Sequence, residues 1–527
     1  MDLRDINKIE KATQGGREEI LRLGLALLFI VGVMLFASTR GAGEQTLILV
    51  VAATIGGYMA MNIGANDVAN NVGPAVGSRA LSLVGALVIA AVCEAAGALI
   101  AGGEVVSTIR SGIIRPELIE DTDTFIWLML AALLAAALWL NIATAVGAPV
   151  STTHSIVGAV LGAGVAAAGM SIVNWATMTD IVLSWVVSPL LGGAFAALFL
   201  YLIKRSITYQ ADMAAAACRT VPLLVGLMAW VFTVYLGLKV VHRFWPLSVW
   251  AAAGYGVLVA VPIFFLSQRQ VRAHAARLRN NKRSVNRLFT IPLVFAAGLL
   301  SFAHGSNDVA NAVGPLAAIV DAVASTGDVV NESASIPLWV MMIGALGIAL
   351  GLALFGPRLI RTVGSEITEL DRMRAFCIAM AATLTVIVAS QLGLPVSSTH
   401  IAVGGVFGVG FLREYLKTNY ALMLEEIRQH HPDGDMSEIE EFIRNFEQAT
   451  IERKGEMLRE LKVRSKNAQD PGHFSKAERK SLRKLYRREL VKRSQLLRIA
   501  AAWVITVPAS ALMAALLFFA IRGVMLP

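Results

Sequence analysis

Gly64-Ala-Asn-Asp-Val-Ala-Asn-Asn-Val-Gly-Pro74 returns later in the chain as Gly305-Ser-Asn-Asp-Val-Ala-Asn-Ala-Val-Gly-Pro315, with nine of eleven positions unchanged. A second element repeats in the same order, Pro149-Val-Ser-Thr-Thr-His154 returning as Pro395-Val-Ser-Ser-Thr-His400. The step from Asp67 to Asp308 is 241 residues and that from Ser151 to Ser397 is 246, so the chain is a duplication whose halves keep nearly the same layout. Gly/Pro-interrupted apolar segments at matching positions of two halves point to a secondary transporter with its site at the repeat interface.

The sequence around these motifs belongs in a bilayer. Of 527 residues 56% are hydrophobic and only 16% charged, with a mean hydropathy of +0.64, too apolar for a water-soluble chain of this length. Runs near the length of about 17–25 residues that a spanning helix needs lie near 21–38, 47–62, 81–101, 125–146, 156–170, 180–203, 220–240, 248–266, 290–303, 337–356, 375–392, 400–412 and 498–520. Leu83 to Ile100 is apolar on successive positions, not alternate ones, which excludes a membrane β-barrel. The expected fold is an all-α polytopic membrane protein of about ten to twelve transmembrane helices. Its two repeats are inverted if each holds an odd number of crossings, with broken helices or re-entrant segments at the midplane.

The same reading divides the chain into an N-terminal cytoplasmic or interfacial segment (1–20) and a transmembrane region (21–266) holding the first repeat at about 47–203. A basic loop (267–289), the second repeat (290–412), a water-soluble helical insertion (413–497) and a last helix (498–527) follow. Gln268 to Thr290 carries seven Arg and Lys residues and no acid, which places it on the cytoplasmic side. Wedged between apolar spans, it is a topology signal and not a nucleic-acid patch. Three widely spaced cysteines give no disulfide framework or transition-metal cluster.

An ionised Asp inside a membrane span costs about 2.5–3.5 kcal/mol on insertion scales and usually marks an ion or proton pathway. Asp67 and Asp308 are therefore candidate functional residues; the structural alternative is that they cap the helices that Gly73-Pro74 and Gly314-Pro315 interrupt. Together with Asn66, Asn70, Asn307 and Asn311 they offer hard oxygen ligands for a small cation such as sodium, or the carboxylates carry a coupled proton. Ser151-Thr152-Thr153 and Ser397-Ser398-Thr399 each follow a Pro and open a Gly-spaced apolar segment. That is a helix N-terminus, where free N–H groups, the positive dipole end and hydroxyls suit an oxyanion. An Asp nearby can accept a hydrogen bond from a protonated oxyanion, and phosphate keeps a proton near neutral pH whereas sulfate does not. Glu94, His154 and His400 are candidates for coupling or gating, against the plainer reading of buried, hydrogen-bonded side chains.

The paired Gly-x-Asn-Asp-Val-Ala-Asn and Pro-Val-Ser-(Ser/Thr)-Thr-His elements resemble the signatures of the inorganic phosphate transporter (PiT) family, over roughly 47–203 and 288–412. The resemblance extends to Glu94 and to Thr108-Ile-Arg-Ser-Gly-Ile-Ile114. It implies an inverted-repeat fold, multi-pass in a cell membrane of bacterial inner-membrane type, and symport of phosphate with sodium or protons without another cofactor. Asp67, Asp308, Ser151, Thr152, Thr153, Ser397, Ser398 and Thr399 would then lie at the phosphate, and Asn66, Asn70, Asn307 and Asn311 near it or the cation. A homodimer is compatible with the sequence. Some relatives carry a second intramembrane Glu where this chain has Ala379, which leaves the coupling ion open. A sulfate permease, an anion channel and a membrane-embedded hydrolase are the rivals. Duplication argues against the hydrolase, because an enzyme needs one asymmetric constellation.

Overall fold

The computed structural model describes residues 3–41, 43, 45–119, 121–145, 150–324, 336–366, 371–429 and 493–525. Among them are eleven helices long and apolar enough to cross a membrane, and one shorter apolar helix at Thr152–Ala168. The first half comprises α1 (Leu3–Ser38), α2 (Gln45–Asn66), α3 (Val68–Gly77), α4 (Leu83–Ala101), α5 (Gly103–Ser107), α6 (Thr122–Ala145), α7 (Thr152–Ala168) and α8 (Trp175–Ile203). Between the halves stand α9 (Met213–Leu236), the short α10 (His242–Phe244), α11 (Val249–Ala275) and the short α12 (Lys282–Asn286). The second half comprises α13 (Thr290–Asp308), α14 (Ala310–Ala324), α15 (Leu338–Glu366), α16 (Arg372–Gln391), α17 (Ser398–Gln429) and α18 (Arg493–Met525).

Polar side chains set several helix starts. Ser82, Asn174, Asp212, Ser248 and Asp371 accept hydrogen bonds from backbone N–H groups three residues on, opening α4, α8, α9, α11 and α16. On α4, Val84, Val88 and Val92 face outward on one stripe, while Ala86, Ala90, Glu94 and Gly97 are buried. The inner face is thus built from small residues around one acid, and the outer one from branched apolar residues that suit lipid.

The halves pack by exchanging helices. α4 lies on α13 of the other half and α15 lies on α2, while α17 runs along α8 and α7 along α18. Glycine permits each approach, as small residues do where membrane helices meet backbone to backbone. A Cβ on Gly97 would stand 2.0 Å from the Phe302 carbonyl oxygen, and one on Gly351 2.0 Å from that of Met61. Met61 and Phe302 are separated by the same step as Asp67 and Asp308, so the two contacts are copies of each other. Gly305 on Glu94 and Gly64 on Ile348 form a second matched pair, and Gly408 on Gly193 and Gly162 on Ala511 a third. The repeat read from two motifs therefore extends through the packing, and the counterpart of Glu94 is Ile348.

Replacing Gly408 by Ala should lower thermal stability by about 1–3 kcal/mol, because the new methyl would sit 2.0 Å from the Gly193 carbonyl oxygen and no rotamer relieves a backbone clash. Gly254→Ala meets nothing within 4 Å and should be neutral or slightly stabilising. Melting curves of the two purified variants test this, and equal midpoints would refute the close approach.

Segment boundaries differ in places from the hydropathy reading. The N-terminal segment and the first apolar run form one helix, α1. α11 continues past residue 266 to Ala275, into the basic segment, whose remainder includes α12. α17 runs on to Gln429 beyond its apolar part, and residues 430–492 of the expected insertion lie outside the described residues.

Candidate functional site

Asp67 falls between α2 and α3, and Asp308 is the last residue of α13 before α14. Asp67 makes no side-chain hydrogen bond to the helix it precedes, so its carboxylate is not a helix cap. One of its oxygens accepts from Thr152 Oγ1 at 2.7 Å and the other from Thr399 Oγ1 at 3.2 Å. Thr152 opens α7 in the first half and Thr399 lies in the first turn of α17 in the second, so one buried carboxylate receives a hydroxyl from each half. Thr152 Oγ1 also lies 3.5 Å from Asp308 Oδ2.

Asparagines surround this centre in matched pairs. Asn70 donates to Thr399 at 2.8 Å, and its repeat partner Asn311 donates to Thr153 at 3.2 Å and to Thr152 at 3.2 Å. One layer out, Asn66 donates to Thr144 at 3.1 Å and Asn307 to Ser390 at 3.0 Å. Of the expected residues, Asp67, Asn70, Thr152, Thr153, Asp308, Asn311 and Thr399 are thus drawn into one buried network, while Asn66 and Asn307 anchor its flanks. Ser151 and Ser397 accept from the backbone N–H groups of His154 and His400 and set the first turns of α7 and α17. Asp308 Oδ1, Asn311 Oδ1 and Ser398 Oγ are buried without a hydrogen-bond partner among the described residues. Buried polar atoms are rarely left so, and these three are available to a ligand.

The histidines of the hydroxyl motifs meet behind the threonines. The His154 ring stacks on Trp185 at 3.8 Å between centroids and lies 4.6 Å from that of His400. Its Nδ1 lies 2.8 Å from Ser151 Oγ. Trp185 donates to the Pro395 carbonyl at 3.1 Å, and Asn307 donates to the Leu394 carbonyl at 3.1 Å and accepts from Val396 N at 3.2 Å. Thr108 donates to the Gly393 carbonyl at 2.7 Å. Lys239, paired with Glu104, also reaches the Ser390 carbonyl at 3.3 Å. The segment entering α17 is therefore clasped from several helices at once.

Sequence reasoning missed His304, which is wholly buried. Its Nδ1 lies 2.6 Å from Glu94 Oε2, and its Nε2 3.0 Å from Asp308 Oδ2. Asn71 Nδ2 donates to the other Glu94 oxygen at 2.9 Å. Glu94 is thereby joined to the central carboxylates through one imidazole, and atoms of Asp67, His304 and Asp308 come within 4.8 Å of one another. The repeat-related positions form no such chain among the described residues. At the positions equivalent to His304, Glu94 and Asn71 stand Ile63, Ile348 and Ala312. The motif differs between the halves at Ala65/Ser306 and Asn71/Ala312, and both differences are engaged: Asn71 holds Glu94, and Ser306 accepts from Tyr235 at 3.0 Å.

Comparison with known proteins places this geometry in context. A model described as the phosphate transporter family matches residues 63–514. A protein of Helicobacter pylori strain J99 named "Putative phosphate permease" is 54% identical over 530 residues, covering 99% of each chain. A protein of Thermococcus kodakarensis with the same description is 41% identical over 365 residues, 69% of this chain and 89% of that one. A solved structure entitled "The sodium-dependent phosphate transporter" superposes with a TM-score of 0.73 at 31% identity, covering 91% of this chain and all of that one.

Proposed function

The chain belongs to the phosphate transporter family, and from that premise we propose that it imports inorganic phosphate across the cell membrane by symport with a cation, sodium or a proton, through alternating access of two inverted repeats. A family of transporters leaves no ground for the hydrolase reading. The observation that carries the proposal is the Asp67 carboxylate, whose two oxygens accept hydroxyls from the opposite halves of the chain. A site shared in this way is made or broken when the halves rock against each other.

In this reading phosphate lies at the two helix starts. Thr152, Thr153, Ser398 and Thr399 supply hydroxyls, Ser151 and Ser397 hold the first turns whose N–H groups face the anion, and a protonated phosphate oxygen donates to Asp67 or Asp308. The cation takes carboxylate and amide oxygens from Asp67, Asp308, Asn70 and Asn311, with Asn66 and Asn307 fixing the frame. The hydrogen bonds of Asn307, Trp185 and Thr108 to residues 393–396 would hold one entrance shut, and their release would open it. Glu94, His154 and His400 would adjust coupling or gating from behind the site.

Uptake of labelled phosphate into proteoliposomes under an imposed sodium or proton gradient, with sulfate as competitor, tests the proposal. Saturable uptake driven by one of the two gradients and indifferent to sulfate is expected and identifies the ion. Sulfate-preferring flux would make the protein a sulfate carrier, and flux blind to both gradients would make it a channel.

A further inference from the structure

Away from the transport site, a cavity of about 600 Å³ opens between α9, the C-terminal end of α11 and the start of α13. Its walls are mostly apolar, with Val225 on α9, Leu266 on α11 and Phe295 on α13 among them. Leu266 and Phe295 are 62% and 49% exposed, so the cavity is open sideways at the level of the bilayer. One end is basic: Arg277, Arg287 and Arg372 line it, and no acidic side chain among the described residues does. Arg372 donates to Thr290 and to the Arg79 carbonyl, whereas Arg277 and Arg287 are exposed and pair with no acid among the described residues.

We propose that this cleft holds one anionic phospholipid, its headgroup phosphate on Arg277 and Arg287 and an acyl chain along Val225, Leu266 and Phe295. The arrangement favours a lipid over a free anion, because free phosphate has no use for an apolar trough open to the membrane. It favours an anionic lipid over a zwitterionic one, because two guanidiniums at the membrane surface face no acidic counter-charge among the described residues. The lipid would wedge the α9–α11 pair against α13, the helix that carries His304, Asn307 and Asp308. α9 touches the same helix directly where Tyr235 donates to Ser306.

The test is native mass spectrometry of the full-length protein equilibrated with equal amounts of phosphatidylglycerol and phosphatidylcholine. One phosphatidylglycerol should be retained in preference by roughly 30-fold, the worth of two basic groups at the surface. Arg277→Glu with Arg287→Glu should abolish the preference, and Phe295→Trp should reduce retention by filling the trough without altering charge. Arg269→Glu, on α11 but outside the cleft, should leave it intact. Equal retention of both lipids by the wild type, or an unchanged preference in the double variant, would overturn the proposal. Displacement of the lipid by millimolar inorganic phosphate would reassign the cleft to a free anion, and a lipid-free dimer that the double variant dissociates would reassign it to a second copy of the chain.

Discussion

Asp67→Asn should lower gradient-driven phosphate uptake by at least about 10-fold, since it removes the charged acceptor that the protonated phosphate and the cation would meet, and one hydrogen bond to a charged group is worth about 1.5–3 kcal/mol. An amide keeps one acceptor oxygen and turns an NH2 toward whichever hydroxyl it does not serve. Thr152 and Thr399 are rotors and can reorient to accept, so the variant should fold and melt close to the wild type. It should nonetheless lose the negative charge that attracts the cation and the acceptor that bridges the halves. Asp308→Asn should likewise lose uptake, through its unpartnered Oδ1. Labelled uptake set beside a melting curve separates transport from folding. Wild-type uptake in either variant would remove that carboxylate from the transport site.

The second large effect concerns Asn71, Glu94 and His304. His304→Ile alone leaves Glu94 and Asp308 buried without the imidazole between them, and breaking a buried ionic contact by removing one partner costs about 3–5 kcal/mol. The repeat-related arrangement displays the alternative, since Ile63 of the first half and Ala312 and Ile348 of the second fill the equivalent positions. Asn71→Ala, Glu94→Ile and His304→Ile combined should therefore recover most of the stability lost in the single variant. Transport should not return with it, if the imidazole serves coupling and not packing. A triple variant that melts as low as the single one would show that the halves are not interchangeable here; one that transports normally would reduce the polar chain to scaffolding.

The two motifs contained most of the buried polar network because duplication displays the same residue types twice. Hydropathy likewise exposed the spans, since lipid demands long apolar helices. What escaped was held by contacts far apart in sequence. Glu94 stood out as an acid in an apolar run, but its partner lies 210 residues away and no local pattern joins them. The cue was present in the differences between the repeats: Asn71 against Ala312, Ala65 against Ser306, and Ile63 against His304, four residues before Asp308 on the same helical face. Hydroxyl motifs read as one class also proved to divide, with Ser151 and Ser397 serving the backbone and the threonines serving the carboxylate.

The exchange of helices between halves has a consequence for biosynthesis. α4 leaves the ribosome long before α13, and at about 5–20 residues per second the 210 residues from Glu94 to His304 take roughly 10–40 s. Throughout that interval Glu94 must enter or border the bilayer with Asn71 but not His304 to answer its acid, and the glycine faces that α2 and α4 turn to the second half have only lipid to touch. Neither half is a nascent domain that can close upon itself. The newborn chain depends on its own completion, or on an insertion factor that shelters α4 meanwhile, and a ribosome stalled between α4 and α13 would expose a segment that quality-control proteases can recognise.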